Sequence, residues 1–259
     1  LLAASERHSD HALASAMAFS AGEAFRKAAK LAEAETSYQR VVEQWPTSEW
    51  ADDSLQSLVQ LTWESGQFDR ACEFGEQFAE QFPESDLNPI VCQTVARAMI
   101  KLGRYSDASE LLAPHVAGAL DASVRPATPA AQDSSGGTDG PVETDPPASS
   151  NDLTARDELA SIEAANVYYS AVAALGSERY QDALDVLETI KSLNSPRELV
   201  DGIRVARASA FMKLERYDEA IEPLDQYLVS QPDGPDAAKC LTQLAIACAQ
   251  LHRWADVER

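Results

Sequence analysis

The chain has 259 residues, and its 42 acidic and 21 basic side chains give a formal net charge of −21 at pH 7. This acidic balance excludes nucleic acid as an expected partner, because binding a phosphate backbone requires basic residues that displace counterions. No apolar run approaches the roughly 18 residues that a membrane span needs. The chain is rich in residues that favour helices, and four of its 11 glycines fall in the single region 118–151.

Bulky residues recur along the chain at a fixed interval. Steps of 37 residues separate the members of two sets, which are Leu31, Phe68 and Tyr105, then Tyr180, Tyr217 and Trp254. Each of them is followed three positions later by a small or aliphatic residue, such as Ala34 or Ala71. A repeat of this length with one bulky and one small fixed position predicts stacked helical hairpins.

The second repeat shows why each unit should contain two helices. Leu55, Leu58 and Val59 follow helical spacing, and Gly66 then ends the first helix in a left-handed conformation. The predicted inward positions of the second helix are Ala71, Phe74, Phe78 and Ala79. Pro83 stops that helix, because proline lacks an amide and does not fit inside a helix.

Six hairpins can be placed from these anchors. Their predicted ranges are 14–46, 51–83, 88–117, 160–195, 200–232 and 236 to the end. Only five residues follow Trp254, so the second helix of the last hairpin would be truncated. We therefore interpret the chain as an internal fragment of a longer protein, or as a processed one.

Two repeats carry a recognisable five-residue pattern: a small residue within the first helix, an aromatic near its end, alanine early in the second helix, a bulky residue four later and a final proline. The matching residues are Gly22, Phe25, Ala34, Tyr38 and Pro46, then Ala208, Phe211, Ala220, Leu224 and Pro232. This pattern resembles the tetratricopeptide repeat. The resemblance implies an all-α fold, a right-handed α-solenoid of helical hairpins, although Gly75 stands where the second repeat should be bulky. The period also exceeds the family's usual value of about 34 residues, which predicts longer turns between repeats.

Those turns suggest a subtype of the family. Trp45-Pro46-Thr47-Ser48 and Phe82-Pro83-Glu84-Ser85 each precede a predicted helix, which Ser48 or Ser85 could cap through its hydroxyl. An aromatic residue, then proline, then serine two positions later is similar to repeats of TolA-binding and outer-membrane-assembly lipoproteins. The resemblance favours a periplasmic or cell-envelope location over a cytoplasmic one; the alternative is that the pattern is a generic helix stop.

The segment 118–151 differs in composition, since it is dominated by Pro, Gly, Ser, Thr, Ala and Asp. Such a segment buries too little apolar surface to offset its ordering entropy, so we predict a disordered linker. The linker divides the chain into two blocks, a three-hairpin array at 1–117 and an array of about three hairpins at 152–259. It either separates the two arrays or loops out while they stack.

Catalytic and metal-binding patterns are absent from the sequence. His8 and His11 have helical i, i+3 spacing, but no cysteine or third histidine lies nearby to complete a metal site. No phosphate-binding loop, dinucleotide fingerprint or nucleophile motif occurs. We predict no enzymatic activity, no cofactor and buried free thiols at all four cysteines.

The family resemblance implies that ligands lie on the concave face made by the first helix of each hairpin. The positions that it assigns to this face are Phe19, Glu23, Lys27, Gln56, Gln60, Trp63, Gln93, Arg97, Lys101, Tyr168, Val205 and Met212. They differ from the Lys and Asn set with which similar repeats grip chaperone tails. Trp63 and Tyr168 are candidate aromatic anchors; alternatively, these side chains only pack between helices.

We therefore predict a scaffold that binds a protein or peptide partner, with a role in cell-envelope assembly. The acidic charge is explained either by a solvated surface or by a basic partner. An alternative is that the chain is the docking or sensor module of a larger enzyme or regulator. A third hypothesis is a homo-oligomer built through the open ends of the solenoid. The sequence does not indicate the oligomeric state.

Overall fold

A computed structural model describes residues 13–124, 150–190 and 197–253, and all the regular elements in these ranges are α-helices. In chain order the helices are α1 (Ala14–Lys27), α2 (Leu31–Gln44), α3 (Ala51–Glu64), α4 (Phe68–Gln81), α5 (Asn88–Lys101), α6 (Tyr105–Val124), α7 (Ser150–Gly176), α8 (Tyr180–Thr189), α9 (Arg197–Lys213), α10 (Tyr217–Ser230) and α11 (Ala237–Gln250). The predicted all-α hairpin fold is confirmed.

The chain divides into two compact units, Leu1–Leu112 and Ala113–Arg259. Helix α6 continues to Val124 and helix α7 begins at Ser150, so both extend into the ends of the predicted linker. The rest of that segment lies outside the described residues, as do His8 and His11. The domain boundaries and the disorder of the linker therefore stay predictions.

The extra length of the repeat lies in the turns between hairpins. Helix α1 ends at Lys27 and α2 begins at Leu31, whereas α2 ends at Gln44 and α3 begins only at Ala51. A proline follows the last residue of α2, α4 and α10 by two positions, at Pro46, Pro83 and Pro232. The predicted long inter-repeat turns are confirmed, and proline is the residue that stops the second helix.

The predicted serine caps are wrong. Helix α3 starts after Trp50 without a side-chain cap, and the buried Ser48 hydroxyl has no hydrogen-bond partner. The Ser85 hydroxyl accepts a hydrogen bond from the Leu87 amide at 3.2 Å and donates one to Asp52 at 2.8 Å. Ser85 therefore ties the inter-hairpin turn to the preceding first helix instead of capping α5.

Each turn within a hairpin contains one residue in the left-handed conformation. Its φ angle is positive in all six hairpins: Ala29, 56°; Gly66, 72°; Gly103, 75°; Glu178, 61°; Glu215, 59°; His252, 57°. The next amide closes the helix end, as where Gln67 donates to the Thr62 carbonyl at 2.9 Å. The prediction for Gly66 is confirmed, and four hairpins adopt the same turn without glycine.

Glycine substitutions at this position should change stability in a predictable direction. We expect Glu178→Gly and Glu215→Gly each to raise the free energy of unfolding by about 1 kcal/mol, because only glycine adopts positive φ without strain. Gly66→Ala and Gly103→Ala should lower it by about 1 kcal/mol, since an added Cβ would meet no atom within 4 Å and only the backbone effect remains. Urea denaturation gives the free energy of unfolding of all four variants. Equal values would contradict the claim that non-glycine residues are strained at positive φ.

The core of the first unit forms where second helices pack against first helices. Its largest fully buried side chains include Tyr38, Phe78, Leu55 and Leu58. Among the residues of α4 that were predicted to face inward, Ala71 and Phe78 are buried and Phe74 is half-buried. Ala79 was predicted to face inward, but it is exposed. It follows the buried Phe78 in the sequence and lies on the solvent side of the helix.

The second unit contains two clusters of buried residues. One joins α9, α10 and α11 around Phe211, Leu224 and Tyr227, and the other joins α7 and α8 around Val167 and Leu187. The last described residue is 253, so the predicted truncated partner of α11 lies outside the described residues.

All four cysteines are buried free thiols, as predicted. Burial raises the pKa of Cys92 to about 11, so about one in a thousand of its thiols is ionised at pH 8. We expect the native protein to resist the thiol reagent DTNB and the unfolded protein to react at four sites. Rapid labelling of a native cysteine would show that the helices around it open readily.

Candidate partner-binding face

First helices of neighbouring hairpins contact one another in both units. Helix α3 contacts α5, α7 contacts α9, and α9 contacts α11. A stripe of partly exposed side chains runs along each of these helices at spacings of three and four residues. We call this stripe the first-helix face. In the first unit it includes Phe19, Glu23, Lys27, Gln56, Gln60, Trp63, Gln93, Arg97 and Lys101.

Two glutamines occupy equivalent places on this face. Gln56 and Gln93 are 37 residues apart, and both are half-buried. Neither side chain makes a hydrogen bond to another part of the chain that the structure describes. Each amide therefore keeps two donors and an acceptor available to a ligand.

The structure brings Trp63 and Arg97 together across the boundary between the second and third hairpins. The Arg97 guanidinium carbon lies 4.4 Å from the centre of the Trp63 ring, and Phe68 packs against that ring at 5.1 Å. Such a cation–π contact is worth about 0.5–1 kcal/mol at an exposed site. Trp63 thus joins two hairpins while one side of it stays half-exposed.

In the first hairpin, two of the three predicted face residues, Phe19 and Glu23, make contacts within the unit. Phe19 stacks on Trp50 at 5.1 Å, and Glu23 accepts a 2.6 Å hydrogen bond from the buried Tyr38 hydroxyl. Burial, followed by this hydrogen bond, raises the pKa of Tyr38 above its ordinary value. Lys27 is exposed at the end of α1. Phe19 and Glu23 therefore support the fold of this end more than they offer a free surface.

Two further residues belong to the face and escaped the sequence prediction. Asp53 and Ile90 are half-buried, lie three positions before Gln56 and Gln93, and are themselves 37 residues apart. Burial, with the neighbouring Asp52 charge second, raises the pKa of Asp53. The period links Asp53 only to Ile90 and not to a predicted face position, so the usable signal is their helical spacing of three before Gln56 and Gln93.

The second unit presents a more apolar face. Tyr168 is half-buried against α9, where a Cβ on Gly202 would come within 2.7 Å of its hydroxyl. Burial raises the pKa of Tyr168 to about 12. Met212 packs on the core cluster of this unit, and Val205 belongs to that core with 8% exposure. Val205 is therefore not available to a partner.

The charge of the face differs from that of the whole chain. In the first unit the three basic residues Lys27, Arg97 and Lys101 outnumber the two acidic residues Glu23 and Asp53, although the complete chain carries 42 acidic side chains against 21 basic ones. Within the described ranges no group of His, Cys, Asp or Glu could hold a metal ion. No described helix is both long and apolar enough to cross a membrane.

Comparison with known proteins supports the repeat interpretation. Residues 16–48, which form the first hairpin, match the family model of the tetratricopeptide repeat. A tetratricopeptide repeat protein from Parabacteroides merdae aligns with TM-score 0.59 and 12% identity over 94% of this chain and 77% of its own. PilF from Pseudomonas aeruginosa aligns with TM-score 0.57 and 13% identity over 94% of this chain and 87% of its own.

The Cut9–Hcn1 hetero-tetramer of the APC/C contains a third similar chain, with TM-score 0.54 and 16% identity over 96% of this chain and 38% of its own. No curated protein sequence matches the chain. The low identities show the fold alone, and they do not single out the cell-envelope subtype. The chain therefore has the tetratricopeptide repeat fold, and its first hairpin matches the tetratricopeptide repeat family itself.

Proposed function

We propose that the chain is a non-enzymatic scaffold whose first-helix face binds an extended peptide or a helix of another protein. The observation that carries this proposal is the pair of unpaired amides at Gln56 and Gln93, which repeat at the 37-residue period. Amides spaced by a repeat suit the backbone of an extended peptide, which offers donors and acceptors at regular intervals.

The chemistry of the face favours a polar or acidic segment in the first unit. Arg97 follows Gln93 by about one helical turn and Lys101 by about two, and Trp63 offers a half-exposed aromatic surface stiffened by its contact with Arg97. Aromatic and arginine side chains commonly dominate the binding energy of interfaces. A basic partner would be attracted by the net charge of the whole chain rather than by this face.

For the setting we propose assembly within the bacterial cell envelope, supported by the aromatic-Pro-x-Ser turns at Trp45 and Phe82. The alternative is a docking module of a larger enzyme or regulator. It is supported by the Cut9 comparison, where a stretch like this chain makes up 38% of a longer chain. The full-length sequence would distinguish the two settings. A signal peptide would favour assembly in the cell envelope, and a catalytic domain would favour a docking module of a larger protein.

Affinity capture with matched variants tests the scaffold. We expect Gln56→Ala combined with Gln93→Ala to weaken capture of a specific partner at least tenfold, with unchanged helicity by circular dichroism. Trp63→Ala with Arg97→Ala should do the same, because both remove the anchor of the face.

The matched control replaces Glu73 and Glu76, which are exposed on the second helix α4 and point away from the first-helix face. This variant should capture the partner as well as the unmodified protein does. If the Glu73→Ala, Glu76→Ala control loses the partner and the glutamine variant keeps it, the binding surface lies on the second helices and the proposal fails.

A further inference from the structure

Asp53 places a charge on the first-helix face where most other first helices carry none. In the register of 37 residues, with 75 across the predicted linker, its counterparts are Ala16, Ile90, Ala165, Gly202 and Lys239. Four of these five are uncharged, and Lys239 is exposed, whereas Asp53 is half-buried. Aspartate is rarely buried unless it is paired. Its presence at this position therefore needs a physical reason.

The Asp53 carboxylate accepts no hydrogen bond and makes no ion pair in the part of the chain that the structure describes. The neighbouring Asp52 carboxylate, by contrast, accepts a hydrogen bond from the Ser85 hydroxyl at 2.8 Å. A carboxylate in the first turn suits the N-terminal end of a helix, but Asp52 already supplies one to α3. Burial, and then the Asp52 charge, raises the pKa of Asp53, so the folded chain disfavours its ionised form. Asp53 thus costs stability without holding a contact.

The basic residues of the first-helix face lie too far along the helices to compensate this charge. In α5, Arg97 and Lys101 follow Ile90, the counterpart of Asp53, by seven and eleven residues. These steps correspond to about 10 and 16 Å along the helix axis. Lys27 lies in the last turn of α1. Charges about 8 Å or more apart are largely screened at physiological salt, so the Asp53 carboxylate stays available to a cation from outside the chain.

An aromatic ring lies beside the same turn of α3. Trp50 precedes Asp53 by three residues, a spacing that brings side chains of a helix to about 5–6 Å between their Cβ atoms. Phe19 stacks on Trp50 with ring centres 5.1 Å apart and planes inclined by 29°, and so holds that ring in place. The Trp50 ring is half-buried, which leaves part of it accessible. A supported aromatic surface therefore adjoins the carboxylate.

Polar groups complete these surroundings. Gln56 lies one turn after Asp53 on the same side of α3. Helix α5 contacts α3 and presents Gln93 at the position equivalent to Gln56. A carboxylate, an aromatic surface and two amides without partners in the chain thus lie at one end of the first-helix face. We call these four residues the Asp53 patch: Trp50, Asp53, Gln56 and Gln93.

We infer that the Asp53 patch binds a lysine or arginine side chain of the partner segment. The aliphatic stem of that side chain packs on the Trp50 ring, and its cationic end pairs with the Asp53 carboxylate. Gln56 and Gln93 bond the neighbouring peptide backbone. The inference rests on the proposed function and deepens it, because it adds one required cation to the polar or acidic segment proposed for this face.

Peptide pools measure this selection directly. The probe is a set of octapeptide pools that carry one fixed Lys or Arg and otherwise lack both, compared with matched pools that carry Gln at the fixed position. At about 0.15 M salt, we expect the immobilised protein to retain the Lys and Arg pools about tenfold better than the Gln pools. Equal retention of the cationic and Gln pools would overturn the inference.

Asp53→Asn separates binding from folding, because it removes the charge and keeps the shape of the side chain. We expect it to abolish the preference for Lys and Arg with an unchanged or higher Tm, since the ionised carboxylate is disfavoured in the folded chain. The matched control is Asp69→Asn, which removes the same charge from the first turn of α4, where Asp69 is exposed. It should leave the preference unchanged. An equal loss in both variants would assign the preference to the net charge of the chain and contradict the patch.

Gln56→Ala with Gln93→Ala distinguishes a failure of this inference from a failure of the proposed function. This variant should lower the retention of every pool, including the Gln pools, because it removes the backbone contacts. If it does so while Asp53→Asn changes nothing, the inference is wrong and the scaffold proposal stands. If neither variant changes retention, the peptides bind elsewhere and both proposals fail.

Discussion

Replacing Gly75 with alanine is expected to lower the free energy of unfolding by about 2 kcal/mol. Gly75 lies in α4, buried against α5, and a Cβ there would come within 2.2 Å of Val95 Cγ2 and 3.3 Å of Val95 Cβ. Valine has one strongly preferred rotamer in a helix, so its methyl group cannot easily move aside. The clash outweighs the gain of about 1 kcal/mol in helix propensity that alanine has over glycine.

A double-mutant cycle tests the cause of that loss. Val95→Ala alone should cost about 2 kcal/mol by leaving a cavity, while Gly75→Ala with Val95→Ala should cost less than the sum of the two, because the new methyl group enters the vacated space. Urea denaturation of the four proteins gives the coupling energy. Strictly additive effects would mean that Gly75 and Val95 do not share the contact.

The second large effect concerns the hydroxyl of Tyr38. We expect Tyr38→Phe to lower the free energy of unfolding by about 2 kcal/mol, the range for hydrogen bonds to charged groups. The ring is fully buried and its hydroxyl donates to Glu23 at 2.6 Å, so phenylalanine leaves the half-buried carboxylate without its closest donor.

Tyr105→Phe is the matched control, because Tyr105 is half-buried and its hydroxyl makes no hydrogen bond in the described part of the chain. It should change the free energy of unfolding by less than about 0.5 kcal/mol. Thermal or urea denaturation followed by circular dichroism compares the two variants. A Tyr38→Phe protein as stable as the control would show that the hydroxyl contributes nothing.

The period made the helices and turns predictable. The bulky residues at steps of 37 positions located the start of the five second helices within the described ranges, and Gly66 with Pro83 located two of the helix ends. These signals are local, because backbone preference at a glycine or a proline acts within a few residues. The same turn at Glu178 and Glu215 shows that the packed hairpin imposes positive φ even where the residue disfavours it.

Contacts between hairpins were not predictable in this way. Gly75 departs from the pattern because Val95 from the next hairpin needs its space, and that pairing is visible only in three dimensions. Ser48 has the right type and spacing for a cap, yet the turn adopts another path. Arg204 and Arg207 differ from the buried residues that the four preceding first helices hold at the same repeat positions.

Burial divides the predicted face residues into accessible ones and packed ones. Gln56, Gln93 and Lys101 keep accessible polar groups, whereas Phe19 is stacked on Trp50 and Val205 lies in the core. A helical period assigns a side of a helix but does not tell how closely the next helix covers that side. Only the packing distinguishes a side chain that supports the face from one that can meet a partner.

Site-specific photo-crosslinking in cells tests the scaffold most directly. A photoreactive phenylalanine analogue is placed at Gln56 or Gln93 on the first-helix face, and at Glu73 or Glu76 on the second helix α4. The scaffold proposal predicts that a partner crosslinks from the two glutamine positions and not from the two glutamate positions. Crosslinks from the glutamate positions alone would contradict it and would place the interaction surface on the second helices.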